Sequence, residues 1–319
     1  MRSPSKMQTI QIELTSACVL KCANCTRFCG THKTPFFMEF DLFRRAVDSL
    51  VGYVQATDQL VGFMGGEPLL HPEFSEFCEY ALTKIPRRNL GLWSTFPQKF
   101  GERYREVICK TFANVLLNDH ARSDIMHGPI LVGIEEVIKD ERDMWRLIDD
   151  CWVQNTWSAS INPKGAFFCE VAAAMSDLFD GSPGWEVEPG WWKRTPKDFG
   201  PQMEEFCRKC GCALPLKRRS SQDPRDDISP KNFERLQGIS RKIDRGEYEI
   251  STFEMDQSLL KNNLYPDQVY KEFEYRRRIA AKYGIALTIN EKGYMEPHLM
   301  DGEWRPKRPL FEILEEQYA

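Results

Sequence analysis

The stretch Glu13-Leu-Thr-Ser-Ala-Cys18-Val-Leu-Lys-Cys22-Ala-Asn-Cys25 decides how this chain is read. It puts three cysteines into eight residues, directly after Ile10 to Leu14, a β-branched and apolar run that predicts a strand. The cysteines therefore belong to the loop at that strand's end. A [4Fe–4S] cube normally takes four thiolates, so a loop that supplies three leaves one iron open to a small molecule. Clustered cysteines also serve structural zinc, which closes its site with a fourth Cys or His. Cys29 and His32 are near enough in sequence to supply one.

About forty residues on, the apolar run Leu60-Val61-Gly62-Phe63 leads into Met64-Gly-Gly-Glu-Pro68. This predicts a second strand ending in a glycine turn that exposes its backbone to a ligand. Together the two motifs resemble the radical S-adenosylmethionine (SAM) superfamily. The resemblance implies that Cys18, Cys22 and Cys25 ligate a [4Fe–4S] cluster whose open iron chelates the amino and carboxylate groups of SAM. It implies that Gly65, Gly66 and Glu67 hold SAM, with Pro68 fixing the turn. Asn24 departs from the pattern, since many members carry an aromatic residue before the third cysteine. The implied chemistry is reductive cleavage of SAM to methionine and a 5′-deoxyadenosyl radical, which abstracts hydrogen from an unactivated C–H bond. The protein's task is then to bind, orient and exclude water. An electron donor such as flavodoxin or ferredoxin is implied as a partner.

The chain has 319 residues, 42% of them hydrophobic, enough for one large domain plus a smaller one. Its net charge of −4 gives no basic field to attract nucleic acid or an anionic membrane. The short basic groups Lys217-Arg-Arg219 and Arg276-Arg-Arg278 read as solvated faces. No signal-peptide core and no apolar run of transmembrane length is present, so a cytoplasmic protein is expected. Eleven cysteines in such a protein argue for metal or redox chemistry over disulfides.

Strand-like and helix-like segments alternate, the signature of βα units and a parallel sheet. After the first strand a helix is predicted over Asp41 to Tyr53, then the second strand over Val61 to Met64 and a helix over Pro72 to Thr83. Leu90 to Thr95 reads as the third strand, Glu102 to Thr111 as a helix and Val115 to Asn118 as the fourth strand. Ile130 to Val132 reads as the fifth, followed by a charged helix from Glu135 to Asp149. These repeats fit an α/β fold, the partial (β/α)6 barrel implied by the resemblance, over residues 1–150, with the sixth strand unplaced. In such barrels ligands lie at the C-terminal strand ends. Ser94 and Thr95, and Asn118 and Asp119, are therefore candidates to touch the SAM carboxylate or ribose.

A second cysteine set begins at Cys151. The segment to Cys169 reads as a hairpin turning at Asn162-Pro-Lys-Gly165, and Cys207-Arg-Lys-Cys210-Gly-Cys212 follows. The spacing Cys-x17-Cys-x37-Cys-x2-Cys is similar to the twitch extension of radical SAM enzymes, a shortened SPASM domain, as in the carbohydrate dehydrogenases and epimerases of aminoglycoside pathways. That resemblance implies an auxiliary [4Fe–4S] cluster on Cys151, Cys169, Cys207 and Cys210, in a small domain over 151–216. Structural zinc is the alternative. Cys212 is an alternative ligand, or with Cys29 one of two spare thiols placed to return a hydrogen atom to a substrate radical. Cys78 and Cys109 read as small core hydrophobes. Trp185, Trp191 and Trp192 read either as the cover of a thin core or as an apolar wall against a sugar or nucleotide ring.

Residues 217–319 form a C-terminal extension outside the resemblance. Ser229-Pro230 predicts a helix start, Pro266 to Tyr283 a second helix, and Leu287 to Asn290 with Gly293 to Met295 a short hairpin. The reading that emerges is a radical SAM oxidoreductase or epimerase acting on a small polar metabolite, a carbohydrate or nucleotide sugar. A maturase of ribosomally made peptides and a non-catalytic zinc-binding interaction protein are the alternatives. The sequence names neither the substrate nor the oligomeric state.

Overall fold

A computed structural model describes residues 1–118, 120, 124–251, 285–290 and 295–299. In chain order the elements begin with β1 (Thr9–Thr15), α1 (Phe40–Thr57), β2 (Leu60–Gly65), α2 (Phe74–Lys84), β3 (Leu90–Ser94), α3 (Gln98–Thr111) and β4 (Asn114–Leu117). Then come β5 (Met126–His127), α4 (Ile134–Val137), α5 (Glu141–Asp149), α6 (Trp152–Thr156), β6 (Ser158–Asn162), β7 (Gly165–Phe167) and α7 (Glu170–Leu178). The remainder are α8 (Gly200–Phe206), β8 (Arg219–Ser220), β9 (Asp226–Ile228), α9 (Pro230–Leu236), α10 (Arg241–Asp244), β10 (Tyr248–Ile250), β11 (Ile285–Ile289) and β12 (Met295–Leu299).

Eight strands form one sheet in the order β11-β12-β4-β3-β2-β1-β6-β7. The run from β4 to β6 is parallel, and β7, β12 and β11 join antiparallel. Side chains alternate between the faces of a strand. On one face Ile10, Ile12, Val61, Phe63, Leu92 and Val115 pack beneath α1, α2 and α3, which contribute Phe43, Val47, Phe77 and Ile108 to the same core. The other face of β1 and β6 carries Gln11, Glu13, Ser158 and Ser160, all buried. There the Trp93 ring lies across the sheet, and a Cβ at either Gly62 or Gly91 would come within 2.4 Å of its Cζ3. Only glycine lets the indole lie flat at those two positions.

The first four strands and three helices form where the hydrophobic periodicity puts them. Ile130 to Val132 is not a fifth strand. It is buried but irregular, and among the described residues it bridges at one point, Leu131 to Ile228, because Gly128-Pro129 and Gly133 bound a run too short for a ladder. The fifth parallel position is taken by β6 on the far side of β1, in register Thr9 with Ser158 to Ile12 with Ile161. The sheet thus continues past residue 150. The helix expected over 135–149 is two helices, since the Asp140 carboxylate accepts from Asp143 N (2.9 Å) and starts α5 afresh.

The hairpin after Cys151 begins only at Ser158, as residues 152–156 form a short helix. A helix does start at Pro230, but Ser229 lends it no side-chain cap: its hydroxyl donates to Glu136 Oε1 instead. The C-terminal hairpin pairs Met295 with Val115 and so extends the sheet beyond β4. The helix expected over 266–283, the triple-arginine group at 276–278 and the start of the second hairpin strand lie outside the described residues. Among the described residues no helix is long and apolar enough to cross a membrane.

Candidate functional site

The first cysteine loop leaves the C-terminal end of β1. A register shift between Glu13 and Thr15, opposite Gly65, turns the chain. Thr15 and Ser16 then pin the loop's base to the returning chain: Thr15 Oγ1 donates to Phe36 O (2.5 Å), and Phe36 N donates to Ser16 Oγ (3.0 Å). Above this base stand Cys18, Cys22 and Cys25, with Cys22 buried and the other two half-buried. Cys29 joins them. The Cys18 thiol first, and then that of Cys25, holds Cys29 well above the ordinary thiol range, while the Cys29 thiol holds Cys25 well below it. Burial, with Cys25 and Cys18 behind it, pushes Cys22 up. The four thiols therefore act on one another as a group, and a metal bound there would release protons.

His32 pairs instead with Asp177 of α7 (Nδ1 to Oδ2, 3.4 Å), and burial lowers its pKa. Among the described residues no group of three or more His, Cys, Asp or Glu side chains gathers around a single-ion position. A set of thiols is the usual donor chemistry of a four-iron cube, and also of a structural zinc closed by a fourth cysteine. The first loop fits such a group.

The glycine turn meets the base of this loop. Gly65 has φ +142°, and a Cβ on it would lie 2.2 Å from Thr15 O; one on Gly66 would lie 2.1 Å from Ala17 O. This approach lets Gly66 N donate to Thr15 O (2.6 Å) and Glu67 N to Ala17 O (2.7 Å). Those N–H groups are not offered to a ligand, as the sequence suggested, but fasten the two motifs together. Glu67 is fully buried. Its Oε1 accepts from Leu69 N (3.1 Å) and Ser94 Oγ (2.6 Å), and its Oε2 from Thr95 N (2.8 Å) and Thr95 Oγ1 (2.7 Å). Burial raises its pKa against those four donors. Pro68 opens a turn of 3-10 helix capped by Glu67. Ser94 and Thr95 thus meet the turn itself, and Asn118 N donates to Ser94 O (2.7 Å). Asp119 lies outside the described residues.

Cys151, Cys169, Cys207, Cys210 and Cys212 line one cavity of about 30 Å³. Cys151 precedes α6, Cys169 stands at the start of α7, and the other three follow α8. Cys212 N donates to Cys210 Sγ (3.4 Å). Burial pushes Cys151 up to about 12, and Cys169 and Cys207 upward too, whereas the Cys212 thiol lowers Cys210. Five thiols gathered at one apolar-walled cavity are a donor set that an iron–sulfur group or a structural zinc takes. The two thiols read as spare are therefore each seated with a cysteine set. Cys78 is wholly buried in the main core and Cys109 packs against it, as expected of small hydrophobes. Trp191 and Trp192 are buried in that core, Trp192 edge-on to Tyr53 at 5.6 Å, and Trp185 packs against it. They cover the core and form no exposed wall.

Arg27, Glu13 and Glu170 escaped the sequence reading. Arg27 Nη1 donates to Glu13 Oε1 (3.1 Å) and Glu170 O (2.8 Å), and Nη2 pairs with Glu170 Oε2 (3.1 Å) and donates to Gln11 Oε1. Ser160 Oγ donates to Glu13 Oε1 (2.7 Å), and Ser158 Oγ to Glu170. Burial raises Glu13 to about 7, with Arg27 opposing it, and raises Glu170 as well. The available signal was the polar parity Gln11, Glu13, Thr15 within an otherwise apolar strand.

No protein-family model matches the chain, and no curated protein matches it. Among solved structures it is similar to BtrN in complex with AdoMet and 2-DOIA, at 16% identity over 64% of this chain and 92% of that one, with a TM-score of 0.41. It is similar also to selenomethionine BtrN in an open conformation, at 14% identity over 68% and 96%, again with a TM-score of 0.41.

Proposed function

We propose that the chain is a radical SAM enzyme that abstracts hydrogen from a small polar metabolite, a carbohydrate or nucleotide sugar. One observation carries this reading. The three-cysteine loop after β1 and the Gly65-Gly66-Glu67 turn after β2 are fastened side by side at the ends of adjacent parallel strands, through Gly66 N to Thr15 O and Glu67 N to Ala17 O. A metal-bound ligand and the residues that orient it must be neighbours, and here the backbone makes them so.

Cys18, Cys22 and Cys25 would hold a [4Fe–4S] cluster, which with SAM bound would supply the one-electron chemistry of hydrogen abstraction. The chain's own residues do the rest. The turn, whose N–H groups at Gly66 and Glu67 are engaged, is left to offer acceptors, which suits the ammonium group of an amino acid. Glu67 holds that turn to Ser94 and Thr95 and so fixes the distance between the β2 and β3 ends, and Pro68 stiffens it. The parallel run from β4 to β6 is read as the wall of a partial barrel, with Asn118 at its C-terminal rim a candidate to touch SAM. The polar face of β1 and β6, with Arg27 and Glu13 buried together, holds the barrel interior in register.

Cys151, Cys169, Cys207 and Cys210 are assigned to an auxiliary [4Fe–4S] cluster in a twitch-like region, which can accept an electron and favours dehydrogenation. Cys212 and Cys29 are the thiols able to return a hydrogen atom, which favours epimerisation. Anaerobic reconstitution with iron and sulfide tests the class: iron and sulfide bound in equal amounts, with a SAM-dependent change in the electron paramagnetic resonance (EPR) of the reduced cluster, is expected, and a zinc-only protein contradicts it. Turnover in deuterated solvent separates the reactions. Deuterium in the product that disappears with C212A or C29A means epimerisation, and a product oxidised by two electrons without deuterium means dehydrogenation.

A further inference from the structure

The cysteine loop has little regular structure of its own, and its shape comes from far along the chain. Asn24, one residue before Cys25, is buried and left-handed at φ +48°. Asparagine tolerates that conformation, and here its side chain is read in both directions: Nδ2 donates to Asp227 Oδ2 (2.7 Å), and Oδ1 accepts from Asp227 N (2.9 Å). Its backbone N donates to Asp226 Oδ1 (2.7 Å). Lys242 Nζ donates to that same oxygen (2.7 Å) and to Cys22 O (2.9 Å). Asp226 Oδ2 accepts from Thr31 Oγ1 (3.1 Å), beyond Cys29. The Asp226 and Lys242 side chains are 2% and 1% exposed. Ala23 N donates to Ser221 O (3.2 Å) and Arg241 N to Thr31 O (2.9 Å), which close the frame. Arg219 then holds Asp227 from behind (Nη2 to Oδ1, 2.6 Å).

A buried lysine and a buried aspartate are retained only where each is fully partnered. These two are partnered by one another and by the loop's backbone at Cys22 O and Asn24 N, so they serve the loop. We propose that residues 219–251 belong to the cysteine site, with Asp226 and Lys242 as positioning residues that hold the Cys18 to Cys25 loop in its ligand-presenting shape before any metal arrives. This rests on the reading of that loop as the seat of an iron–sulfur cluster. It gives part of the C-terminal extension a task that no local motif reveals.

The test uses the full chain and two variants. Asn24→Gly keeps the left-handed backbone accessible and removes the two side-chain hydrogen bonds; the double variant D226N/K242M removes both buried charges at once. In the metal-free protein, alkylation of Cys22 by iodoacetamide, mapped by peptide mass spectrometry, is expected to speed up about tenfold in both variants, the effect of losing one to two net hydrogen bonds on local opening. Cys78, wholly buried in the main core, is expected to stay protected and reports global folding. Iron bound on reconstitution is expected to fall toward the half that the second cysteine set keeps, with a weakened and broadened EPR signal from the first. Unchanged Cys22 reactivity and iron loading in either folded variant overturns the proposal. Should wild type bind no iron while the variants still expose Cys22, the clamp stands and the cluster reading fails.

Discussion

Arg27 grips Glu170 at two points, its backbone carbonyl at 2.8 Å and its carboxylate at 3.1 Å. Arg27 stands two residues after Cys25 and Glu170 one residue after Cys169, so this contact joins the two cysteine sets across the buried face of β1 and β6. With Glu13 it places one guanidinium between two carboxylates, all three nearly without exposure. The guanidinium's two terminal nitrogens fork to acceptors on both sides at once, a geometry that the single ammonium of lysine does not reproduce.

Removal of Arg27 alone strands two buried carboxylates. R27M is expected to lose about 3–5 kcal/mol of stability, and the triple variant R27M/E13Q/E170Q to recover much of that loss. Urea denaturation measures both, and equal stability of R27M and wild type contradicts the assigned network.

The pH dependence follows from Glu13. Its carboxyl titrates near 7 in the fold against an ordinary value of 4.5, with burial the main cause. Between those values the folded state binds more protons than the unfolded one, so this group's contribution falls as pH rises from about 4.5 to about 7 and is flat above. E13Q is expected to flatten that part of the melting temperature profile. A parallel decline in E13Q and wild type across this window counts against the shifted carboxyl.

Glu67 accepts four hydrogen bonds, so an amide there turns one acceptor oxygen into a donor facing other donors. E67Q is expected to cost about 1–3 kcal/mol and to weaken SAM binding together with stability. Isothermal titration with the reconstituted protein reads the affinity. Undiminished stability and affinity would show that the turn does not depend on this clamp.

The two cysteine sets are expected to load separately. C169A is expected to keep about half of the wild-type iron, and C22A about the other half, if each set holds one cube. C212A is expected to keep all of it, since four thiols remain around the cavity. Complete iron loss in C169A would mean a single shared site.

The parts of the fold legible in the sequence are those with local periodicity. Ile10 to Leu14, Val61 to Met64 and the helix carrying Phe43, Val47 and Leu50 announce themselves because each buries a repeating face. Ile130 to Val132 misled because a short buried run looks the same in a strand and in an irregular core segment. The pairing of β6 with β1 left no trace, since which strand neighbours which is decided by packing and not by composition. The site divides the same way. The cysteine spacing and the glycine turn are local, and Ser94 and Thr95 were singled out by position though their partner proved to be Glu67. Asn24 looked like a departure from a pattern; its partners lie some two hundred residues downstream at Asp226 and Asp227, and a contact of that range has no local signature. Arg27 and Glu170 were hidden for the same reason.

The most direct measurement is 5′-deoxyadenosine formation by the anaerobically reconstituted protein with SAM and dithionite, quantified by chromatography beside C22A. Wild type is expected to release 5′-deoxyadenosine and methionine in equal amounts, C22A to release none, and C169A to release them still. Absence of 5′-deoxyadenosine from an iron-loaded wild type, or its persistence in C22A, contradicts the account.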